Sequence, residues 1–144
     1  MNIRIEQSHP ADILFGDKKL NRRQQEILDK LSEYGDQILV KKGYVTMLDL
    51  SAMTAKTGDE FALFTRKGER LIIRGDAKQV PLYAEDIKRL RDGGYCWSGH
   101  THPGFTDADL IDSDGDRKTL ALFGQKRSVI YNAAGRYRVI EQEA

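Results

Sequence analysis

The chain has 144 residues, with 23 Lys and Arg against 22 Asp and Glu, and its formal charge at pH 7 is +1. A chain of this length is expected to form one compact domain. The near-neutral charge provides no long-range field toward nucleic acid or anionic lipid, so we expect neither a nucleic-acid nor a membrane partner. The longest apolar stretches have about four residues, whereas a membrane-spanning helix needs ~20.

The start of the chain lacks the apolar core of a secretory signal, because Arg4 and Glu6 interrupt it. A single cysteine, Cys96, excludes an internal disulfide and fits a reducing compartment. Together these features predict a cytoplasmic protein. Residues 1–16 show no clear period and are predicted to form an N-terminal arm or linker, followed by one domain over residues 17–144.

In the first half of the chain, helical and strand patterns follow one another. Asn21 and Gln24 have the spacing of a capping box, and Gly35 stands where the helix after them would end. The stretch Phe61-Ala-Leu-Phe64 is apolar on both faces, which indicates a strand covered on both sides of its sheet. In chain order we predict a helix over 20–34, a strand over 38–40, a helix over 45–56 and a hairpin with strands over 60–65 and 70–74.

The second half of the chain continues the alternation. Asp92-Gly93-Gly94 is a stop signal after a short helix, and Pro103 ends the strand that follows. In chain order we predict a helix over 83–91, a strand over 95–102, a helix over 113–123 and a hairpin with strands over 127–132 and 136–140. The intermixed order predicts an α/β sandwich with a mixed sheet and helices on both faces.

Two of the three histidines lie in the segment His100-Thr101-His102. In an extended segment, residues i and i+2 point to the same face, about 6.6 Å apart at ~3.3 Å per residue, so two imidazoles can bind one ion. The same alternation places Cys96 and Ser98 on the histidine face and Trp97 on the opposite face. We therefore expect the Trp97 ring to pack away from the histidines.

A catalytic zinc site needs three protein ligands, commonly two histidines and a carboxylate. The segment Ser113-Asp-Gly-Asp116 follows the histidines, and its spacing also has a structural explanation: Ser113 would cap a helix and Asp116 would lie in its first turn. The acidic stretch offers Asp112 and Asp114 as alternative ligands. Taken with a proline after the second histidine and a glutamate on an earlier strand, the pattern favours a metal site.

These residues carry a family resemblance. Gly99-His-Thr-His-Pro103, then Ser113-x-x-Asp116, with Glu60 upstream, resembles the JAMM signature of the JAB/MPN family of zinc metallopeptidases. The resemblance runs from about residue 58 to 138. It is closer to the JAB-type domains at the C-termini of bacterial polymorphic toxins and phage minor head proteins. It implies a cytidine-deaminase-like α/β/α sandwich. The nine residues 104–112 exceed the usual family spacing, which leaves Asp112 and Asp114 open as third ligands.

The resemblance also implies a function, the hydrolysis of amide bonds by a zinc-dependent peptidase or deubiquitinase-like isopeptidase. His100, His102 and Asp116 would hold Zn²⁺. Glu60 would act as the general base and pass a proton to the leaving amine, and Ser113 would donate a hydrogen bond to the developing oxyanion. The implied substrate is a peptide or a ubiquitin-like protein.

Two alternatives remain open from the sequence. One is a non-catalytic, zinc-stabilised binding or assembly module of a phage particle or toxin, since zinc ligation contributes folding free energy with or without catalysis. The other is a zinc-dependent hydrolase of a different bond. The toxin and phage context adds a cognate immunity protein or a phage structural protein as partners. In the same context we expect delivery within a toxin or phage particle and excision of the chain from a longer protein.

Overall fold

The structure, a computed structural model, describes residues 9–142, which form five α-helices and a six-stranded sheet. In chain order the elements are α1 (Pro10–Phe15), α2 (Arg22–Asp29), β1 (Gln37–Lys41), α3 (Met47–Thr57), β2 (Phe61–Arg66), β3 (Glu69–Arg74), α4 (Ala84–Asp92), β4 (Cys96–His102), α5 (Asp114–Phe123), β5 (Arg127–Asn132) and β6 (Tyr137–Glu141). Short 3₁₀ helices cover Lys42–Tyr44 and Asp107–Leu110. Over the same residues, no helix combines the length and apolarity that crossing a membrane requires. The predicted mixed α/β class is confirmed.

The strand order in the sheet is β1-β3-β2-β4-β5-β6. The β4–β5 pair is parallel, and the other four neighbouring pairs are antiparallel. The sheet is therefore mixed, as predicted. Strands β2 and β4 lie side by side in its centre, so the ends of these two strands are positioned by pairing on both sides.

Alternate residues of β2 enter two different hydrophobic cores. Ala62 and Phe64 belong to the core that contains Ile87 of α4 and Leu120 and Phe123 of α5. Their neighbours in the chain enter the other core, with residues of α2 and α3: Ile27, Leu28, Leu50, Met53, Phe61 and Leu63. The predicted strand covered on both sides is confirmed, because helices pack on both faces of the sheet.

The start of the described chain differs from the prediction. Residues 10–15, part of the predicted N-terminal arm or linker, form helix α1, which packs against α3. The His9 side chain caps this helix by accepting a hydrogen bond from the Ala11 N–H at 3.2 Å, and Pro10 occupies its first turn. Six residues are too few for a helical period to show in the sequence. Residues 1–8 of the predicted arm and residues 143–144 of the predicted domain lie outside the described residues.

Helix α2 ends at Asp29, earlier than the predicted end at residue 34. A long-range contact accounts for the difference. The Arg74 guanidinium on β3 donates to the carbonyl of Leu31 at 2.5 Å, and the Gly35 N–H donates to the Arg74 carbonyl at 2.8 Å. Backbone groups that would continue the helix are therefore bonded to the sheet.

A β-bulge in β4 overturns the expected position of Trp97. Consecutive residues of β2 pair with Gly99 and with Trp97, which makes Ser98 the extra residue of the bulge. The bulge reverses the alternation on its N-terminal side. As a result the Trp97 ring stacks on the His100 ring, with a centroid distance of 4.9 Å. The prediction that Trp97 faces away from the histidines is wrong, because strict alternation holds only for a regular strand.

Candidate metal centre

The candidate site lies where three elements meet. His100 and His102 stand at the C-terminal end of β4, Glu60 directly precedes β2, and Asp116 lies in the first turn of α5. Ala62 pairs with His100 in the antiparallel register, so Glu60, two residues earlier, lies on the same face beside His102. The fold thus brings these four residues together, and Ser113, the fifth residue predicted for the site, lines the same pocket.

The spacing of the possible ligand atoms fits a tetrahedral metal ion. The Nε2 atoms of His100 and His102 are 3.0 Å apart, and the Asp116 carboxylate lies 3.0 Å from the first and 3.4 Å from the second. Zinc–ligand bonds of ~2.0–2.1 Å at tetrahedral angles separate neighbouring ligand atoms by about 3.3 Å. Glu60 offers a carboxylate oxygen that lies with both histidine nitrogens within 4.8 Å. Glu60, His100 and His102 therefore form a group that can hold a metal ion.

The two histidine rings are held in different ways. His102 directs Nδ1 at the carbonyl of Asp109, 2.8 Å away. A carbonyl only accepts hydrogen bonds, so Nδ1 carries the proton and the neutral ring presents the Nε2 lone pair to the site. The His100 ring is 3 % exposed and packs against Trp97. A pair of imidazole nitrogens with a carboxylate suits zinc and related transition metals.

Ser113 and Asp116 form a capping box at the start of α5. The Ser113 hydroxyl accepts from the Asp116 N–H at 3.1 Å, and the Ser113 N–H donates to the Asp116 carboxylate at 3.0 Å. The structural explanation of this spacing is confirmed. It coexists with the contacts between Asp116 and the histidines: Oδ1 lies 3.0 Å from His100 Nε2, and Oδ2, which accepts from the Ser113 N–H, lies 3.4 Å from His102 Nε2. The Ser113 hydroxyl is exposed, lines the pocket and keeps its own proton for a further contact.

The other acidic candidates are directed elsewhere. Asp112 and Asp114 both form ion pairs with Arg117. Asp59, which precedes Glu60, pairs with Arg74 at 2.8 Å. Among the alternatives left open by the loop length, Asp116 is therefore the carboxylate that the fold places against the histidines. Its role as a ligand stays a prediction.

Burial and the interactions among the ionisable side chains of the site shift their pKa values. Burial raises the pKa of Glu60 to about 8; the positive charge that His102 carries when it is protonated opposes this shift, and the negative charge of Asp116 adds to it. Burial also lowers the pKa of His100. For Asp116, burial favours the neutral acid, but hydrogen bonds with His100 and His102 outweigh it and hold the pKa well below its usual range. With a pKa of about 8, Glu60 is mostly protonated at pH 7, and a metal ion bound beside it would lower that pKa and favour the ionised form that accepts a proton.

The site opens into a cavity of about 510 Å³. Residues 77–80 and Leu82 line one side, and Pro103, Ala108 and Thr119 line another. Trp97 contributes to the apolar floor next to His100. The cavity falls within the usual size range of small-molecule sites and gives a ligand access to the histidines.

Two contributors to the site were missed in the sequence. Trp97 was placed on the wrong face because no local pattern marks the bulge. Asp109, whose carbonyl holds His102, was treated as part of an acidic loop, although Thr106-x-x-Asp109 repeats the capping-box spacing. That spacing is the signal by which the turn could have been found.

Comparison of the chain with protein-family models, with curated proteins and with solved structures finds no match in any of the three.

Proposed function

We propose that this chain is a zinc-dependent hydrolase of amide bonds, a peptidase or deubiquitinase-like isopeptidase. The observation that carries the proposal is the convergence of His100, His102 and Asp116 at tetrahedral spacing, with the buried Glu60 beside them at the base of an open pocket. This combination provides a metal site, a proton acceptor and access for a substrate.

The proposal includes the JAB/MPN family and its cytidine-deaminase-like sandwich. Three features support it: the mixed sheet with helices on both faces, the two histidines at the end of a central strand, and the S-x-x-D segment that starts a helix beside them. The JAMM residues are drawn from separate elements of the chain, so their meeting at one place is not explained by sequence proximity.

His100, His102 and Asp116 would hold a zinc ion, and such an ion would supply activation of a water by lowering its pKa from about 15.7 to ~7. Glu60 would accept a proton from the attacking water and deliver it to the leaving amine as the carbon–nitrogen bond breaks. Ser113 donates its hydroxyl proton in a hydrogen bond to the oxyanion that develops on the scissile carbonyl. One water is consumed, and a carboxylate and a protonated amine are released.

The proposed substrate is a peptide or the tail of a ubiquitin-like protein. Zinc and a general base do not themselves select amides, so substrate choice belongs to the pocket walls formed by residues 77–80 and by the loop over residues 104–112. We extend the proposal to a cytoplasmic site of action, or to delivery within a toxin or phage particle. In the second case a cognate immunity protein or a phage structural protein would be the partner.

The test combines metal analysis with one substitution. We expect one zinc per chain and hydrolysis of a fluorogenic peptide library or of isopeptide-linked ubiquitin. The Glu60→Gln variant should retain the zinc and lose about 10²–10⁴-fold in turnover, because only the proton acceptor is removed. Glu69→Gln, a matched change at a half-buried glutamate that pairs with Arg66, should leave turnover unchanged.

Failure to bind zinc at micromolar metal, or full turnover in Glu60→Gln, would contradict the proposal. Zinc binding without hydrolysis of any of these substrates would favour the non-catalytic module, in which the metal stabilises the fold alone.

A further inference from the structure

We propose that the Asp109 carboxylate is a positioning group for the metal site, acting through the turn Thr106–Asp109. It would hold the Asp109 carbonyl against His102 and thereby maintain the ring tautomer that offers Nε2 to a metal ion. This inference rests on the proposed zinc site and extends it to residues outside the set of proposed metal ligands.

The turn acts on the site through one hydrogen bond, which His102 Nδ1 donates to the Asp109 carbonyl at 2.8 Å. The partners of a metal-binding histidine determine which of its nitrogens carries the proton and how its ring is oriented. If the carbonyl moved away, a neutral His102 could carry its proton on Nε2, and that tautomer has no lone pair on the nitrogen that faces the site. The position of the Asp109 carbonyl therefore affects the affinity of the site for a metal ion.

The Asp109 side chain determines where that carbonyl lies. Its carboxylate accepts hydrogen bonds from the Thr106 N–H at 3.0 Å and from the Thr106 hydroxyl at 2.9 Å. The Asp109 N–H donates to the Thr106 carbonyl at 3.1 Å, so the turn is closed by three hydrogen bonds. The next residue, Leu110, is 5 % exposed and lies in the hydrophobic core. The carbonyl between these anchors has little freedom to rotate.

The turn is also tied to the sheet. The Ala133 N–H donates to the Gly104 carbonyl at 2.8 Å, and the buried Asn132 side chain donates to the Thr106 carbonyl at 3.3 Å. Gly104 has a φ of +98°, and a Cβ there would overlap the Asp109 carboxyl group. The loop is therefore closely packed, and hydrogen bonds connect it to the end of β5 on one side and to His102 on the other.

The experiment measures zinc affinity, by competition with a chromophoric chelator, for the full chain and for variants. Asp109→Ala should weaken zinc binding about 10–100-fold, the range typical for loss of an outer contact to a metal ligand. Asp109→Asn keeps an acceptor oxygen for Thr106, so this variant should retain most of the zinc affinity of the wild type. Thr106→Ala removes one of the two donors and should have a smaller effect. The matched control is Asp107→Ala, an exposed aspartate of the same turn that pairs with Arg136.

A second readout separates positioning from general stability. Imidazole ¹⁵N NMR of the metal-free chain should show His102 protonated at Nδ1 in the wild type and in Asp107→Ala, and a mixture of tautomers in Asp109→Ala. Thr106→Ala provides the same measurements if Asp109→Ala does not fold.

The outcomes are distinguishable. If the wild type binds zinc and both Asp109→Ala and Thr106→Ala bind it equally well, this inference is wrong and the proposed function stands. An equal loss in Asp107→Ala would likewise overturn it, because the effect would then belong to the loop in general. If the wild type binds no zinc, both proposals fail.

Discussion

Asp116 uses both oxygens of its carboxylate at once. One oxygen accepts from the Ser113 N–H and closes the capping box, while the carboxylate also contacts the histidines. The N-cap motif therefore also contains the proposed metal ligand, and the helix start fixes the direction of its carboxylate. The lowered pKa of Asp116, caused by its histidine partners against the effect of burial, keeps this carboxylate ionised at neutral pH.

Ser113 can be tested separately from its structural role. Ser113→Ala removes the hydroxyl that caps α5 and the proposed oxyanion donor, so we expect a loss of about 1 kcal/mol in the free energy of unfolding and a fall of about 10²–10³-fold in turnover. The control is Thr46→Ala, which removes the capping hydroxyl of α3, a helix on the other face of the sheet. That variant should lose similar stability and retain its turnover. Equal turnover in the two variants would contradict the catalytic role of Ser113.

At the scale of elements, a buried carboxylate joins α2 to α3. Asp49, 3 % exposed, accepts hydrogen bonds from both terminal nitrogens of Arg23, at 2.5 and 2.8 Å, and from the Gln24 side chain at 3.0 Å. Burial would raise the pKa of Asp49, but the hydrogen bonds from Arg23 and Gln24 outweigh it, and the pKa is lowered. The ionised form is therefore the stabilising one.

The pH dependence follows from the sign of that shift. Because the pKa of Asp49 is lower in the folded chain than its ordinary value of 3.8, its stabilisation is present above pH ~4 and is lost as the pH falls through the folded value. Asp49→Asn should cost about 3 kcal/mol at neutral pH, and the difference from the wild type should shrink at about pH 3. Urea denaturation at both pH values measures it. Asp29→Asn, at an exposed aspartate that ends α2, should change stability by no more than about 0.5 kcal/mol. A difference that is independent of pH would contradict this account.

On the scale of the whole molecule, the ligands of the proposed zinc site come from β4 and α5, with Glu60 at the start of β2. A metal ion bound there would connect the central strands to a helix on one face of the sheet. A metal ion that binds the folded chain and not the unfolded one must raise the free energy of unfolding.

We therefore expect zinc to raise the melting temperature. At a free zinc concentration of 100 times Kd the stabilisation is about 2.7 kcal/mol, which corresponds to roughly 5–10 °C for a chain of this size. A chelator should reverse the shift, and His102→Ala should abolish it. His9→Ala, at the histidine that caps α1, should retain it in full. A shift that survives His102→Ala, or that disappears in His9→Ala, would place the metal elsewhere.

The parts of this protein that depend on near neighbours could be predicted from the sequence alone. The capping boxes at Asn21 and Ser113 follow from residues three apart, and the burial of Phe61-Ala-Leu-Phe64 on both faces follows from its composition. His100 and His102 share a face because they lie on the regular side of the bulge, where alternation holds. These features involve interactions within one element, and such interactions leave a local pattern.

Other features were decided only in the tertiary structure. The stacking of Trp97 on His100 depends on a bulge in the β2–β4 pairing, and the early end of α2 depends on Arg74 of a distant strand. Asp116 contacts the histidines because of how α5 packs beside β4, while its neighbours Asp112 and Asp114 form ion pairs with Arg117. The bulge, the Arg74 contact and the packing of α5 beside β4 each bring together groups far apart in the chain. Their geometry follows from the packing of the whole sheet with its helices, which no local period in the sequence encodes.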